Sequence, residues 1–509
     1  MKLKFTVFIF YILLSVSAVT GQNIQNIGVP YVENFPKSSY GAGNQNWAIA
    51  KDHNGIVYFG NSEGLLTYDG SFWQTHSLPN RLVVRSVATD KKGKIFTGGF
   101  GEFGFWQYDE KAILKYHSLT SLVKDKSTLN NEVWKIYVEE DKVIFQTFAN
   151  IFIYQNNKIK VIKGNGSFLF LFKVGSRYFV ETPGKGLYEL KNNELYFVEG
   201  SNRLEMSSIL SVLPFHKDTY LIGTAKGGLF LYDGKTFSKW NNEGSSFLQT
   251  AQLNNGVKIF DKYYAYGTIL NGVVILDEDG RIIQHINKSS GLQNNTVLSL
   301  SIDAQQNLWV GLDNGIDRIE LNSPLYFYFD KNGIFGTVYS SIIFNSRIYL
   351  GTNQGLYQSR WDVSGNGRQN LNFKIIPNSQ GQVWDLSVHS GQLICGHNNG
   401  SYLVKGDVIE KISNVSGGWT IAQLANDPAK LIQGTYTGLV IYEKLNGAYQ
   451  FSHKIQNFSQ PSRYVEQDDK GNFWVSHAYK GVFKLKLSDD LQSVVEAKQY
   501  DESSGLSSV

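Results

Sequence analysis

Cysteine is almost missing from this chain: Cys395 is the only one in 509 residues, so no disulfide can form within it. Proline is scarce as well, with 9 residues against 50 glycines, which points to many tight turns rather than extended linkers. Charged residues make up only 18% and the formal net charge is +4, too little bias for a nucleic-acid or acidic-membrane partner. The basic residues are scattered and form no cluster resembling a DNA-binding face. Beyond the first twenty residues no apolar run is long enough to span a bilayer.

The first residues read as a leader. Lys2 and Lys4 precede an apolar run from Phe5 to Val16, and small residues follow up to Gly21. Positive, apolar, then small is the order of a secretory signal, expected to occupy residues 1–21 with cleavage after Gly21. The rival reading is an uncleaved anchor. No cysteine follows the leader, so no lipoprotein anchor is expected. An exported chain without disulfides fits a bacterial envelope better than a eukaryotic secreted domain.

What the chain has in quantity is a repeated phrase. Its clearest copy runs from Asp303 through Asn307, Trp309, Gly311 and Gly315 to Ile316. Related copies are Asp52, Gly55, Tyr58, Gly60, Gly64 and Asp468, Gly471, Trp474, Gly481. The glycine recurs at Gly60, Gly98, Gly223, Gly267, Gly311, Gly351, Gly396 and Gly434, with degenerate copies at Thr147, Thr182 and Ser476. That is a period of about 42 residues. Each unit reads as four short strands, alternating apolar and polar and separated by Gly, Asn or Asp turns, an antiparallel meander. A helical solenoid would need an apolar period near 3.6, which is absent. The expectation is an all-β chain of propeller blades.

About eleven units exceed the roughly eight blades that one ring accommodates, so two propellers in tandem are required. The first is expected to be seven-bladed over 22–322, with Val29 to Phe35 supplying a strand that completes the seventh blade. The second is expected over 323–509 and incomplete. Residues 500–509 match the segment from His285 to Val297, which runs on into an inner strand. The chain is therefore expected to be an N-terminal piece of a longer protein.

The phrase from Gly291 to Val297, followed by Asp303, Asn307, Trp309, Gly311 and Gly315, resembles the two-component-regulator propeller repeat. In that family, common in Bacteroidota, the resemblance implies a periplasmic sensor of two seven-bladed propellers. A Tyr-rich immunoglobulin-like domain, a membrane helix and a cytoplasmic output follow, either a histidine kinase or a LuxR-like helix-turn-helix. The stretch from Tyr31 to Trp47 with Tyr58 to Leu65 looks most like the branch with the LuxR-like output. The units around Thr147 and Thr182 lack the Asp-turn-Trp phrase and rest on spacing alone.

Several motifs invite chemistry and do not sustain it. Residues 99–104 spell GxGxxG, but at the second-to-third strand turn of a blade, with no helix after them to meet a pyrophosphate. Asp90, Asp303 and Asp468 sit in turn phrases that suggest calcium loops or the Asp-box of sialidase propellers, and are expected to be Asx-turns instead. The histidines show no metal spacing, and no Ser-His-Asp set stands out. No cofactor, metal or catalytic residue is expected in this region.

One position carries a candidate site. At the start of the inner strand the units place Trp47, Arg85, Trp134, Trp384, Trp419 and Arg463, with Leu210 and Leu298 at the same position elsewhere. Inner strands surround the channel of a propeller, so these residues form a candidate rim that stacks on sugar faces and hydrogen-bonds acidic or hydroxyl groups. The competing reading wedges them between adjacent blades. The function expected is ligand sensing, with a glycan or other nutrient-derived ligand, in an inner-membrane-anchored regulator that dimerises. The alternatives are a secreted propeller lyase or glycosidase, and a non-catalytic adhesion or scaffold propeller.

Overall fold

The computed structural model describes residues 23–508 apart from Asn165, 205–206, Phe329, 331–332, 363–368 and Asn370. The leader expected over residues 1–21 lies outside the described residues. The chain divides into two compact units, one ending at Tyr328 and the other starting at Phe329. It is built from eleven four-stranded antiparallel sheets, seven in the first unit and four in the second. No helix among the described residues is long and apolar enough to cross a membrane.

In the first unit the inner strands are Asn46–Lys51, Ser86–Thr89, Val133–Val138, Leu171–Val174, Ile209–Pro214, Leu253–Ile259 and Val297–Ile302, which number blades one to seven. The last inner strand packs beside the first, so the ring closes. Blade seven takes its outer strand from the start of the chain: Val32–Phe35 pairs antiparallel with Ile316–Ile319, Phe35 opposite Ile316. Blades eight to eleven of the second unit have inner strands Val338–Phe344, Val383–His389, Ile421–Leu424 and Tyr464–Gln467.

Strands this short bury too little alone, and the core lies between blades. Ala265, Val273 and Ile275 of blade six face Val297, Leu308 and Val310 of blade seven, all essentially inaccessible. Ile432, Leu439 and Ile441 of blade ten meet Val465, Val475 and Leu485 of blade eleven in the same way. Alternating side chains thus serve both faces of each sheet.

The repeated phrase has a physical cause at each end. Its aspartate closes the turn between the first two strands. Asp303 accepts from the Asn307 N–H at 2.8 Å and from the Trp309 indole N–H at 3.0 Å. Asp468 does the same with Asn472 at 2.7 Å and Trp474 at 3.0 Å, and these bonds hold its carboxyl down to about 2. In Asp52 the tyrosine Tyr58 replaces the indole, at 3.0 Å. These are Asx-turns with an aromatic clasp, at the end of the blade away from the candidate rim.

The glycine marks where the next blade comes closest. A Cβ on Gly311 would lie 2.5 Å from the Asn46 carbonyl oxygen, across the closing seam, and one on Gly351 would lie 2.6 Å from Val383. Gly98 against Val133 and Gly434 against Ser462 repeat the contact. In blades three and four the register corrects the sequence alignment: the position falls on Gln146 and Glu181, one residue before Thr147 and Thr182. There a buried side chain spans the gap by hydrogen bonds. Gln146 donates to the Leu169 carbonyl at 2.7 Å and accepts from the Leu171 N–H at 3.2 Å, and Glu181 accepts from the Ile209 N–H at 2.6 Å. Burial pushes the Glu181 carboxyl up to about 7.

Candidate functional site

The residue pressed against each repeat glycine is the one just before the rim residue of the next blade. Asn46 precedes Trp47, Val133 precedes Trp134, Val383 precedes Trp384, and Ser462 precedes Arg463. A second device then aims the side chain. In blades one, three, five, six, seven, eight and nine the inner strand opens with a register shift that leaves the rim residue unpaired. Bulges of this kind re-aim one side chain while the flanking residues stay in the ladder. In the remaining blades the rim residue lies one or two residues before the assigned strand, and its N–H still bonds the carbonyl at the glycine position, as Arg85 does with Gly98 at 2.8 Å and Trp419 with Gly434 at 2.9 Å.

A polar residue one step further in fastens the arrangement. Ser86 Oγ donates to the Val133 carbonyl at 2.7 Å, Ser299 to Asn46 at 2.9 Å and Thr420 to Arg463 at 3.0 Å. Each bond ties an inner strand to the next blade beside the next rim residue. The rim is therefore set by backbone contacts on both sides of every seam.

In the first unit the structure brings Trp47, Arg85 and Trp134 together. The Arg85 guanidinium lies 4.0 Å from the Trp47 ring centroid and 5.1 Å from that of Trp134. The two indoles meet edge to face at 6.1 Å. Glu132 receives the guanidinium through both carboxylate oxygens, forming an ion pair whose side chains are 18% and 23% exposed. Trp134 stacks on Phe148 at 5.3 Å, and Phe148 meets Phe170 edge on at 5.7 Å. The arginine is thus held between two rings and neutralised. The competing sequence reading, large residues packed on neighbouring blades, describes this cluster well.

The second unit is arranged differently. Tyr339 lies over Trp384 at 4.8 Å with 34° between planes, and is 41% exposed. The Trp384 indole N–H donates to the Tyr436 hydroxyl at 2.8 Å, and Tyr436 meets Trp419 edge to face at 4.8 Å. Gly417, in the left-handed region at φ 82°, lies so flat on the Tyr436 ring that any Cβ would enter it. The result is a partly open aromatic row across three blades. Arg463 joins neither of those rings; it is exposed and sits 5.5 Å from Tyr464.

Leu169, Asn254, Tyr339 and Tyr436 were missed by sequence reasoning. The first three occupy the rim position but break its Trp/Arg pattern; Tyr436 comes from the neighbouring glycine turn, two residues after Gly434. The GxGxxG of residues 99–104 is a widened turn between strands Ile95–Gly98 and Phe103–Tyr108, with the Gly99 N–H bonded to the Glu102 carbonyl at 2.8 Å. A cavity of about 780 Å³ lies at the other end of the first unit's inner strands, lined in part by Lys51, Thr89, Val138 and Lys173. Its lining includes His53 but no Phe, Tyr or Trp, and Glu139 there is taken up by Lys173 at 2.7 Å and by Tyr178. Among the described residues no group of His, Cys, Asp and Glu is placed to hold a metal.

No family model matches the chain, and no curated protein matches it. Solved structures do. The extracellular domain of a protein described as a hybrid two-component system of B. thetaiotaomicron superposes with a TM-score of 0.66 at 18% identity, covering 94% of this chain and 67% of that one. The extracellular domain of a B. thetaiotaomicron protein described as a one-component system gives 0.46 at 16% identity, covering 92% and 67%. A streptogramin B lyase gives 0.46 at 11%, covering 57% of this chain and 96% of its own. At these identities the likeness is one of fold, and on the first comparison the chain has the tandem β-propeller fold of a Bacteroidota two-component system's extracellular domain.

Proposed function

We propose that this chain is the periplasmic, ligand-sensing region of a membrane-spanning signal-transduction or transcriptional regulator, without catalysis of its own, and that its ligand is a glycan or another nutrient-derived polymer. The observation that carries the reading is the partly open aromatic row Tyr339, Trp384, Tyr436 and Trp419. Flat rings held by backbone contacts stack on the apolar faces of pyranoses without ordering cost, while tyrosine hydroxyls meet sugar hydroxyls. The fold shared with an extracellular domain of a two-component system, together with the leader expected from the sequence of residues 1–21, supports an exported sensor. In a dimeric receptor the ligand acts by binding one arrangement of the two sensor regions better than the other.

The test is a titration of the purified chain with oligosaccharide pools, followed by tryptophan fluorescence and calorimetry. Saturable binding that weakens at least tenfold in Trp384→Ala is expected. Turnover of any pool would favour a secreted enzyme instead, and absence of binding across the pools would remove the reading.

A further inference from the structure

We infer that the second unit's rim is selective for an anionic saccharide, one bearing a carboxylate or sulfate that pairs with Arg463; this rests on the ligand-sensing reading above and names the class of ligand. The chain topology sorts charge between the two ends of this unit. Strands run in such a way that the turns after the second strand and the connections after the fourth lie on the rim side. Of the eight such stretches, the seven at 353–355, 376–382, 398–399, 414–420, 436–437, 455–463 and 478–480 contain no Asp or Glu, and the eighth, 501–508, carries Asp501 and Glu502. The seven do contain Arg463 and Lys480. The turns at the other end carry Asp407, Asp468, Asp469, Asp489 and Asp490.

Of the carboxylates that flank this face, Asp385, directly after Trp384 on the inner strand, has its carboxyl buried beside Ile421 of the next blade, and that burial raises it. Asp330, in the segment leading into blade eight, is consumed by the N–H groups of Ile334, Phe335 and Gly336 at 2.7–2.8 Å. Asp501, after the outermost strand of blade eleven, is taken up by Ser503, and Glu502 beside it is exposed in the short turn that follows that strand. Arg463 itself has no carboxylate partner among the described residues, whereas Arg85 at the same position of the first unit is closed off by Glu132. Among the described residues the Lys480 ammonium meets only the Gln460 side-chain oxygen, at 3.1 Å. An exposed guanidinium at the rim position of the same unit as the aromatic row, among rim-side turns from 353 to 480 that hold no carboxylate, matches a planar anion presented by a pyranose.

The experiment uses the full chain and a panel of tetrasaccharides of different linkage, each in uronate, carboxyl-reduced and sulfated forms. The uronate or the sulfated form should bind at least about tenfold tighter than its reduced partner, as one charge-assisted bidentate contact implies. The arm that binds identifies the anion. Arg463→Gln should abolish that preference by bringing the charged form down to the reduced form's affinity or below, and Trp384→Ala should weaken every form. Arg85→Gln should leave the preference intact. Equal binding of reduced and charged forms, with Trp384→Ala still weakening both, would overturn the anionic inference and spare the sensing reading. No binding in any arm, or binding indifferent to Trp384→Ala, would overturn both.

Discussion

The two units place an arginine at the same position of the same repeat and use it in opposite ways. Arg85 is clamped between Trp47 and Trp134 and paired with Glu132, while Arg463 stands exposed on Tyr464 with no carboxylate partner among the described residues. The rim-side connections of the first unit mix Glu63, Glu102, Asp125 and Asp313 with Arg81 and Lys126, whereas the corresponding stretches of the second unit between Thr352 and Gly481 carry no acid at all. The repeat fixes where a rim side chain stands. Its immediate neighbours decide whether that side chain is structural or available.

The largest effect should come from the packing that both rims share. Gly434→Val drives a side chain into Ser462, directly before Arg463, and should destabilise the second unit by at least about 3 kcal/mol in urea titrations. Gly311→Val, at the closing seam, should do the same to the first unit. If either variant unfolds like the parent, the glycine is not a point of close approach.

Next is a difference in pH response. The Glu181 carboxyl rises from its ordinary 4.5 to about 7 because burial disfavours its charge, and Asp385 in the second unit rises from 3.8 to about 6 for the same reason. Each holds a proton in the folded state that the unfolded chain has released. The associated stability is full below the unfolded value and is lost as pH rises through the folded one. For Glu181 the window is about pH 4.5–7, with a change on the order of 2–3 kcal/mol. Glu181→Gln should flatten the first unit's stability across that window and leave the second unit's slope below pH 6 in place. Parallel profiles for variant and parent would contradict this origin.

The arginines themselves should separate by a smaller margin. Arg85→Ala leaves Glu132 without its partner and opens a gap between two indoles, at a cost of about 2 kcal/mol. Arg463→Ala, at an exposed site, should stay within about 0.5 kcal/mol. Equal costs in thermal or urea unfolding would erase the contrast drawn between the rims. Trp384→Phe removes the bond to the Tyr436 hydroxyl and should cost about 1 kcal/mol, less than the margin between the two arginines. Its emission-free probe of Tyr436 is hydrogen exchange in the 436–437 turn, which should quicken.

The blades were legible because each strand announces itself by alternation and each turn by Asp, Asn or Gly. Trp47, Trp134, Trp384 and Trp419 were legible as a class because the glycine spacing places them in register. Blades three and four misled, since Gln146 and Glu181 do by hydrogen bonding what glycine does by yielding space, and Thr147 then looked like the conserved step. Pairing was beyond the pattern altogether. Nothing in the spacing says that Glu132, forty-seven residues after Arg85, closes one arginine, or that Tyr436 joins Trp384 to Trp419. Such contacts cross blades, and a one-dimensional period carries no information about which long side chains meet there.

Hydrogen–deuterium exchange of the full chain, with and without an oligosaccharide that binds it, tests the central claim most directly. The account predicts slowed exchange in the second unit's rim loops, 414–420, 436–437 and 455–463, with the first unit's Trp47 and Trp134 segments unchanged. Protection confined to the first unit, or to the Asp-bearing turns at the opposite end of the second, would contradict it.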